Sequence, residues 1–302
     1  MINKDIQVEI DLERCIGCGM CIKVCPQQTL SLVHGKAATT GKASFSCGHC
    51  EAACPQKAIR VQLLHNEMGT YRTFIAQNEW LPFGKYDIVG LQQLMASRRS
   101  CRNYTEQTVD RSLLQDLIKI GATAPSGTNS QQWTFTIVPS RKAVTTFALH
   151  VGAYFKRLNS LAAKPLIRTI LKLIGKNELA TYYRDHYESV QTAIVAWEQE
   201  GRDRLFHGAS AAIVVGSKPG ASCPMEDALL ATQNILLAAH SMGLGSCLIG
   251  FAVAAMKKDR TIQRAIGIPP EDAIYAVIAL GYPDETYQRV IRRKKVELRY
   301  FE

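Results

Sequence analysis

The sequence predicts a mixed helix and sheet fold, of α/β or α+β class, standing behind a small cysteine-rich module. Three observations carry that reading. Seven of the ten cysteines lie within the first 54 residues. Two short, continuously apolar runs, 211–215 and 273–280, have the length and composition of buried central strands. Around them apolar residues recur at helical spacing, so helices and strands alternate along the chain. At 302 residues the chain has room for two domains.

The cysteine module comes first. Its thiols read Cys15-x2-Cys18-x2-Cys21-x3-Cys25-Pro26 and then Cys47-x2-Cys50-x3-Cys54-Pro55. Two intervening residues let consecutive thiolates converge on one small cage, and the fourth Cys of such a run, followed by Pro, reaches across to a second cage. That is iron-sulfur spacing. A shift that carries Cys18 onto Cys47 also carries Gly19 onto Gly48, Cys21 onto Cys50, Cys25 onto Cys54, Pro26 onto Pro55 and Gln27 onto Gln56. The module is therefore an internal duplication.

The same shift sets Ser44 opposite Cys15, so the second run lacks its first thiol. By the crossed pattern one 4Fe-4S cluster takes Cys15, Cys18, Cys21 and Cys54, and the other takes Cys47, Cys50 and Cys25. Ser44, Ser46, a water or an absent iron are the candidates for its fourth corner. His34 and His49 read as ordinary polar residues, although His49 stands beside the short set. A zinc site also uses paired Cys-x2-Cys elements, but it does not ask for three cysteines at strict three-residue steps and then a fourth followed by Pro, with most of that pattern repeated.

The short tails after each Cys-Pro, 29–33 and 58–63, read as strands and close the module at residues 1–65. Residues 66–85 lack periodicity and contain Gly69, Pro82 and Gly84, which marks a linker before a second domain over 86–302. That domain opens with a helix on Ile88, Leu91, Leu94 and Met95. A second helix spans about 110–120, with Leu113, Leu114, Leu117 and Ile118 on one face and Gly121 as its stop. Trp133 to Val138 alternates as a strand, and 226–240, rich in Ala and Leu with Gly243 beyond, reads as a buried helix. The stretch 151–205 interrupts this rhythm with basic, amphipathic helical sequence around Pro165, as a peripheral cover does.

The net charge is +10, yet the positive residues are gathered in two places, 154–176 and 289–295, without interleaved aromatics. Nucleic acid is therefore an unfavoured partner, and an anionic cofactor or an electron donor a favoured one. The start carries Lys4, Asp5 and Glu9, and no run of about 18 apolar residues occurs, so the expectation is a soluble cytoplasmic protein without a membrane segment. Cys101, Cys223 and Cys247 stand alone and read as buried free thiols.

The segment Arg98-Arg99-Ser100-Cys101-Arg102-Asn103-Tyr104 places three guanidiniums and a hydroxyl at a predicted helix end, which suits a phosphate or a delocalised anion. Further on come 124–133 (APSGTNSQQW), 243–250 (GLGSCLIG) and a basic tail after Gly281-Tyr282-Pro283. With these four segments in this order, residues 86–302 resemble the FMN-dependent nitroreductase family. The module resembles a bacterial two-cluster ferredoxin, so the whole chain is similar to the ferredoxin-containing branch of that family.

The resemblance implies an α+β sandwich that forms a homodimer, with FMN at the interface and both subunits lining each site. It implies that Arg98, Ser100 and Arg102 hold the phosphate, ribityl chain and N1/O2 edge of the flavin, with Arg99 beside them. Ser126 and Asn129 match residues that reach the flavin from the partner subunit. Leu248, Ile249 and Gly250 match the stretch lying against the ring, and Arg293, with Arg292, the phosphate ligand of the tail. Gln132 departs from the Pro common in the family, and the 151–205 insert departs from its usual length. No separate catalytic residue is expected, because flavin carries its own chemistry. The expected activity passes electrons from a ferredoxin-like or other donor, through two clusters and FMN, to a small aromatic, nitro or quinone-like acceptor. The alternative is a relay or sensor serving a protein partner.

Overall fold

The computed structural model describes residues 6–302, so Lys4 and Asp5 of the charged start lie outside the described residues. The module consists of β1 (Val8–Ile10), α1 (Met20–Lys23), β2 (Leu30–Val33), β3 (Lys36–Thr39), α2 (His49–Ala52) and β4 (Ile59–Val61). The duplication read from the cysteines recurs in the backbone, since the shift that carries Cys18 onto Cys47 carries α1 onto α2 residue for residue. Each of these helices is preceded by a glycine in the left-handed region, Gly19 at φ 74° and Gly48 at φ 75°, a conformation that costs other residues strain. The strands pair antiparallel as β1 with β4 and β2 with β3, so the outer ribbon joins the head of the first repeat to the tail of the second. Leu30, Ala37, Ala58 and Ile59 form the small core between the ribbons.

The second domain begins with α3 (Ile88–Ser97), capped by the Asp87 carboxylate, and α4 (Arg111–Gly121), capped by Asp110. Then follow β5 (Trp133–Val138), α5 (Arg141–Ala162), α6 (Pro165–Leu173), α7 (Glu178–Asp185), α8 (Tyr187–Glu200), β6 (Ala211–Ser217), α9 (Pro224–Ser241), β7 (Gly245–Leu248), α10 (Gly250–Lys258), α11 (Arg260–Ala265) and β8 (Ala273–Gly281). The four strands lie in the order β5-β6-β8-β7 with every pairing antiparallel. The class is thus α+β, the second of the two the sequence allowed.

The apolar runs at β6 and β8 are continuous because both sheet faces are covered. Along β6, Ala212 and Val214 face a core shared with α5, α10 and α11, while Ala211, Ile213 and Val215 face a core shared with α4 and α9. The stretch 151–205 is helical, but its expected start falls inside α5, which begins at Arg141 under a Ser140 cap. The reason is that Val144, Phe147, Ala148, Val151 and Phe155 continue one buried stripe through residue 151 without a break. Only Pro165, at the first turn of α6, ends it.

Residues 66–85 contain one short 3-10 turn, Asn66–Gly69, and are otherwise irregular. They do not hang free. The fully buried Asp116 of α4 accepts from Arg72 N at 2.9 Å, Thr73 N at 2.8 Å and Thr73 Oγ1 at 2.7 Å. No helix among the described residues is long and apolar enough to cross a membrane.

Candidate functional site

The module's thiols line two hollows. One is lined by Cys15, Cys18, Cys21 and Cys54. The other is lined by Cys25, Cys47 and Cys50, together with Ser44, Ser46 and His49. The crossing expected from the sequence is therefore the arrangement the fold produces, with the fourth Cys of each run facing the hollow of the other. It arises because each Cys-Pro follows a short helix and turns the chain back into a strand.

Backbone N–H groups point at these sulfurs. Thr29 N donates to Cys25 Sγ at 3.2 Å, and Ala58 N donates to Cys54 Sγ at 3.2 Å, the same bond in each repeat. Ala37 N donates to Cys15 Sγ at 3.4 Å; this bond and one from Gly17 N, with Lys36 nearby, lower the Cys15 pKa. Lys36 Nζ also donates to the Cys15 carbonyl. Burial, aided by the thiols around them, acts the other way on Cys21 and on Cys50, which is pushed up to about 11. Crowded thiols of that kind ionise when a cation lies among them. Among the described residues no three Cys, His, Asp or Glu side chains converge as a single-ion site. The thiols line the two hollows in sets of four and three.

Ser44 occupies the place of the missing thiol. Its Oγ accepts from Ser46 N at 3.0 Å, two residues on, just as Cys15 accepts from Gly17 N. Ser46 is the counterpart of Gly17 and keeps a left-handed backbone, φ 48° against 68°. Its hydroxyl is buried and has no hydrogen-bond partner among the described residues.

In the second domain the arginine segment leaves the end of α3 and runs beside β7. Ser100 bridges to Ser246 in parallel, and Cys101 N donates to Ser246 O at 3.0 Å. That close approach needs Gly245, where a Cβ would lie 2.7 Å from Cys101 Sγ. The two motifs 98–104 and 243–250 are thereby joined. Ser100, Arg102 and Arg98 all act on the Cys247 thiol, whose pKa burial nevertheless raises. Leu248 is half exposed, and the space beside Gly250 is open. The tail returns to the same place, with Val290, Ile291, Arg292 and Arg293 forming a groove against Ile88 and Met95 of α3.

Arg98, Arg99 and Arg293 lie close enough that, after burial, the two like charges depress the Arg98 pKa further. Among the described residues none of Arg98, Arg99, Arg102, Arg292 or Arg293 has a carboxylate within 4.0 Å. Guanidiniums gathered without a counter-charge form a receptor for an anion. The donor set suits a phosphate, with the open 248–250 shelf beside it.

Ser126 and Asn129 stand apart from this cluster. Ser126 Oγ accepts from Gln131 N at 3.1 Å. Asn129 Nδ2 donates to Phe45 O at 3.0 Å and Ser46 O at 3.1 Å, both in the module. Sequence reasoning also missed Asp227, the buried acid of α9 that takes Gly127 N at 2.9 Å and holds this loop. Its signal was an acid on the buried face of an Ala-rich helix. Of the three isolated thiols, Cys101 and Cys247 are buried, Cys101 being pushed up to about 11 by burial. Cys223 is a correction: it is exposed, because it precedes α9 at the rim of the loop.

The helical cover meets this site through Phe251, the residue after Gly250. Phe155 of α5 packs edge-on against it at 5.4 Å and His186 at 5.9 Å. Between α5 and α8 an apolar hollow of about 510 Å³, lined by Gly152, Phe155, Trp197 and Phe251, opens beside the shelf.

Residues 95–282 match the nitroreductase family, and residues 8–60 match the 4Fe-4S dicluster domain. The NADH dehydrogenase of Thermus thermophilus is 28% identical over 189 residues, covering 62% of this chain and 84% of that protein. The iodotyrosine deiodinase of Thermotoga neapolitana is 26% identical over 218 residues, covering 70% of this chain and 97% of that protein. A solved nitroreductase with bound FMN from Desulfitobacterium hafniense is 24% identical, covers 68% of this chain and 97% of its own, and has a TM-score of 0.49.

Proposed function

The chain belongs to the nitroreductase family, and from that premise we propose that it carries electrons from a ferredoxin-like or other donor to a small aromatic, nitro or quinone-like acceptor. Residues 8–60 hold two 4Fe-4S clusters and the second domain holds FMN. The observation that carries this reading is the presence, in one chain, of two cysteine-lined hollows and an uncompensated arginine group. When bound, the clusters supply one-electron exchange and the flavin supplies its conversion to a two-electron transfer.

The chain's own residues do the rest. Arg98, Ser100 and Arg102, with Arg99 alongside and Arg292 and Arg293 from the tail, bind the phosphate and ribityl chain and set a fixed positive charge near the N1/O2 edge. A cation there stabilises the negative charge of reduced flavin. Leu248, Ile249 and Gly250 offer the shelf for the ring. Phe251 and the helices α5 to α8 wall one side, exclude water and favour a flat apolar acceptor. An aromatic acceptor also accords with the iodotyrosine named for one relative. The functional unit is a homodimer in the cytoplasm.

Turnover tests the proposal. Anaerobic protein loaded with iron, sulfide and FMN, given a reduced plant-type ferredoxin and excess water-soluble benzoquinone, should reduce quinone over many cycles. Oxidation of only a stoichiometric amount of ferredoxin, with no repeated reduction of benzoquinone or of a nitroaromatic, would contradict it.

A further inference from the structure

We infer that Asn129 is a positioning residue that clamps the hollow of Cys25, Cys47 and Cys50 against the second domain, which makes that hollow the exit side of the module. This rests on the proposed function above. Among the described residues two hydrogen bonds from the Asn129 amide join the module to the second domain, and their acceptors, the carbonyls of Phe45 and Ser46, belong to residues that line this hollow. Cys47 follows directly. The hollow of Cys15, Cys18, Cys21 and Cys54 is lined by other residues, none of them an Asn129 partner.

The clamp is built on a stiff base. Gln131 Nε2 donates to Asn129 Oδ1 at 3.0 Å, which fixes the amide so that its N–H groups face the module. Thr128, Asn129 and Gln131 all hold positive φ, at 52°, 53° and 47°, and Asn tolerates that region better than most residues. Asp227 of α9 ties the loop down through Gly127 N at 2.9 Å and Ser130 Oγ at 3.3 Å. A continuous hydrogen-bonded path thus runs from the Cys47 loop to a buried central helix of the second domain. The assignment departs from the family resemblance, in which this asparagine reaches flavin, because its amide is already committed within the chain.

The test uses the full, cofactor-loaded chain and Asn129→Asp, which keeps the size and backbone preference but cannot donate. Asn129→Gly is the second arm, since glycine suits φ 53° without any side chain. The first readout is amide hydrogen exchange over 44–50, which should speed up in both variants. The second is benzoquinone reduction driven in two ways. Two molecules of reduced ferredoxin give two electrons, which with two protons from water convert quinone to hydroquinone. One molecule of 1-benzyl-1,4-dihydronicotinamide gives a hydride, which with one proton does the same without using the module. The ferredoxin-driven rate should fall about tenfold relative to the hydride-driven rate, less than the roughly 10²-fold that a misplacement of about 1 Å can cost. Unchanged exchange and an unchanged ratio would overturn the inference. So would loss of both rates together with FMN, which would make Asn129 a flavin contact. Wild-type protein that takes up neither iron nor FMN would sink the proposed function, and this inference with it.

Discussion

At the residue scale the sharpest feature is a single substitution in a repeated pattern. The cysteine spacing was fully legible because thiolate geometry around a cage leaves little freedom. The fourth corner was not, since the sequence offered Ser44 and Ser46 alike. The fold separates them: Ser44 Oγ takes the N–H that its counterpart Cys15 takes, while the Ser46 hydroxyl has no partner among the described residues. A hydroxyl is a harder ligand than thiolate, so the cluster near Ser44 should be the more easily stripped of one iron. Air-exposed protein should show a three-iron electron paramagnetic resonance signal, and Ser44→Cys should suppress it. Two equally robust four-iron centres before and after that change would assign the corner to another residue. The commitment of Asn129 to the module was illegible for a different reason. A hydrogen bond to backbone carbonyls 83 and 84 residues away leaves no mark on the sequence around either partner.

Among the elements, the helices and strands of the second domain were legible wherever one period ran unbroken, as in β5, β6, α4 and α9. The boundary at 151 marks a change in charge and not a change in element, since the buried stripe of α5 passes straight through it. The linker was legible as irregular chain but not as anchored chain. Asp116 sits in the middle of an amphipathic helix, and its three bonds to residues 72 and 73, with one from Lys119 Nζ to the Thr70 carbonyl, hold the irregular stretch to α4. Asp116→Ala should destabilise the protein by about 1–3 kcal/mol, the usual cost of leaving buried donors unmet, and should expose 66–85 to proteolysis. Burial opposes ionisation of this carboxylate, but the bonds from Thr73 and Arg72, with Lys119, win and leave its pKa lowered. Its stabilising effect is therefore fully present above the ordinary aspartate pKa of about 3.9 and is lost as pH falls through the lower folded value. Wild type should lose the advantage over Asp116→Ala only in that acid range, which urea titrations at stepped pH will read.

For the whole molecule the question is what the exposed apolar surface meets. Ile75 is 97% exposed, Phe83 93% and Ile88 69%, and Leu298 and Phe301 of the tail are exposed as well. Exposed apolar residues on the linker, on α3 and on the tail that carries Arg292 and Arg293 are surface that a second copy would cover. A second copy covering them would also bury the arginine group and raise its hold on an anion, since desolvation strengthens charge pairing. Cofactor loading and dimer formation are thus parts of one claim. Sedimentation velocity of anaerobically purified protein, followed at protein, flavin and iron-sulfur wavelengths together, tests it most directly. The account predicts one boundary at twice the 33.4 kDa chain mass, carrying one FMN and about eight irons per chain. A flavin-loaded monomer, or a dimer sedimenting without flavin or cluster absorbance, would contradict it.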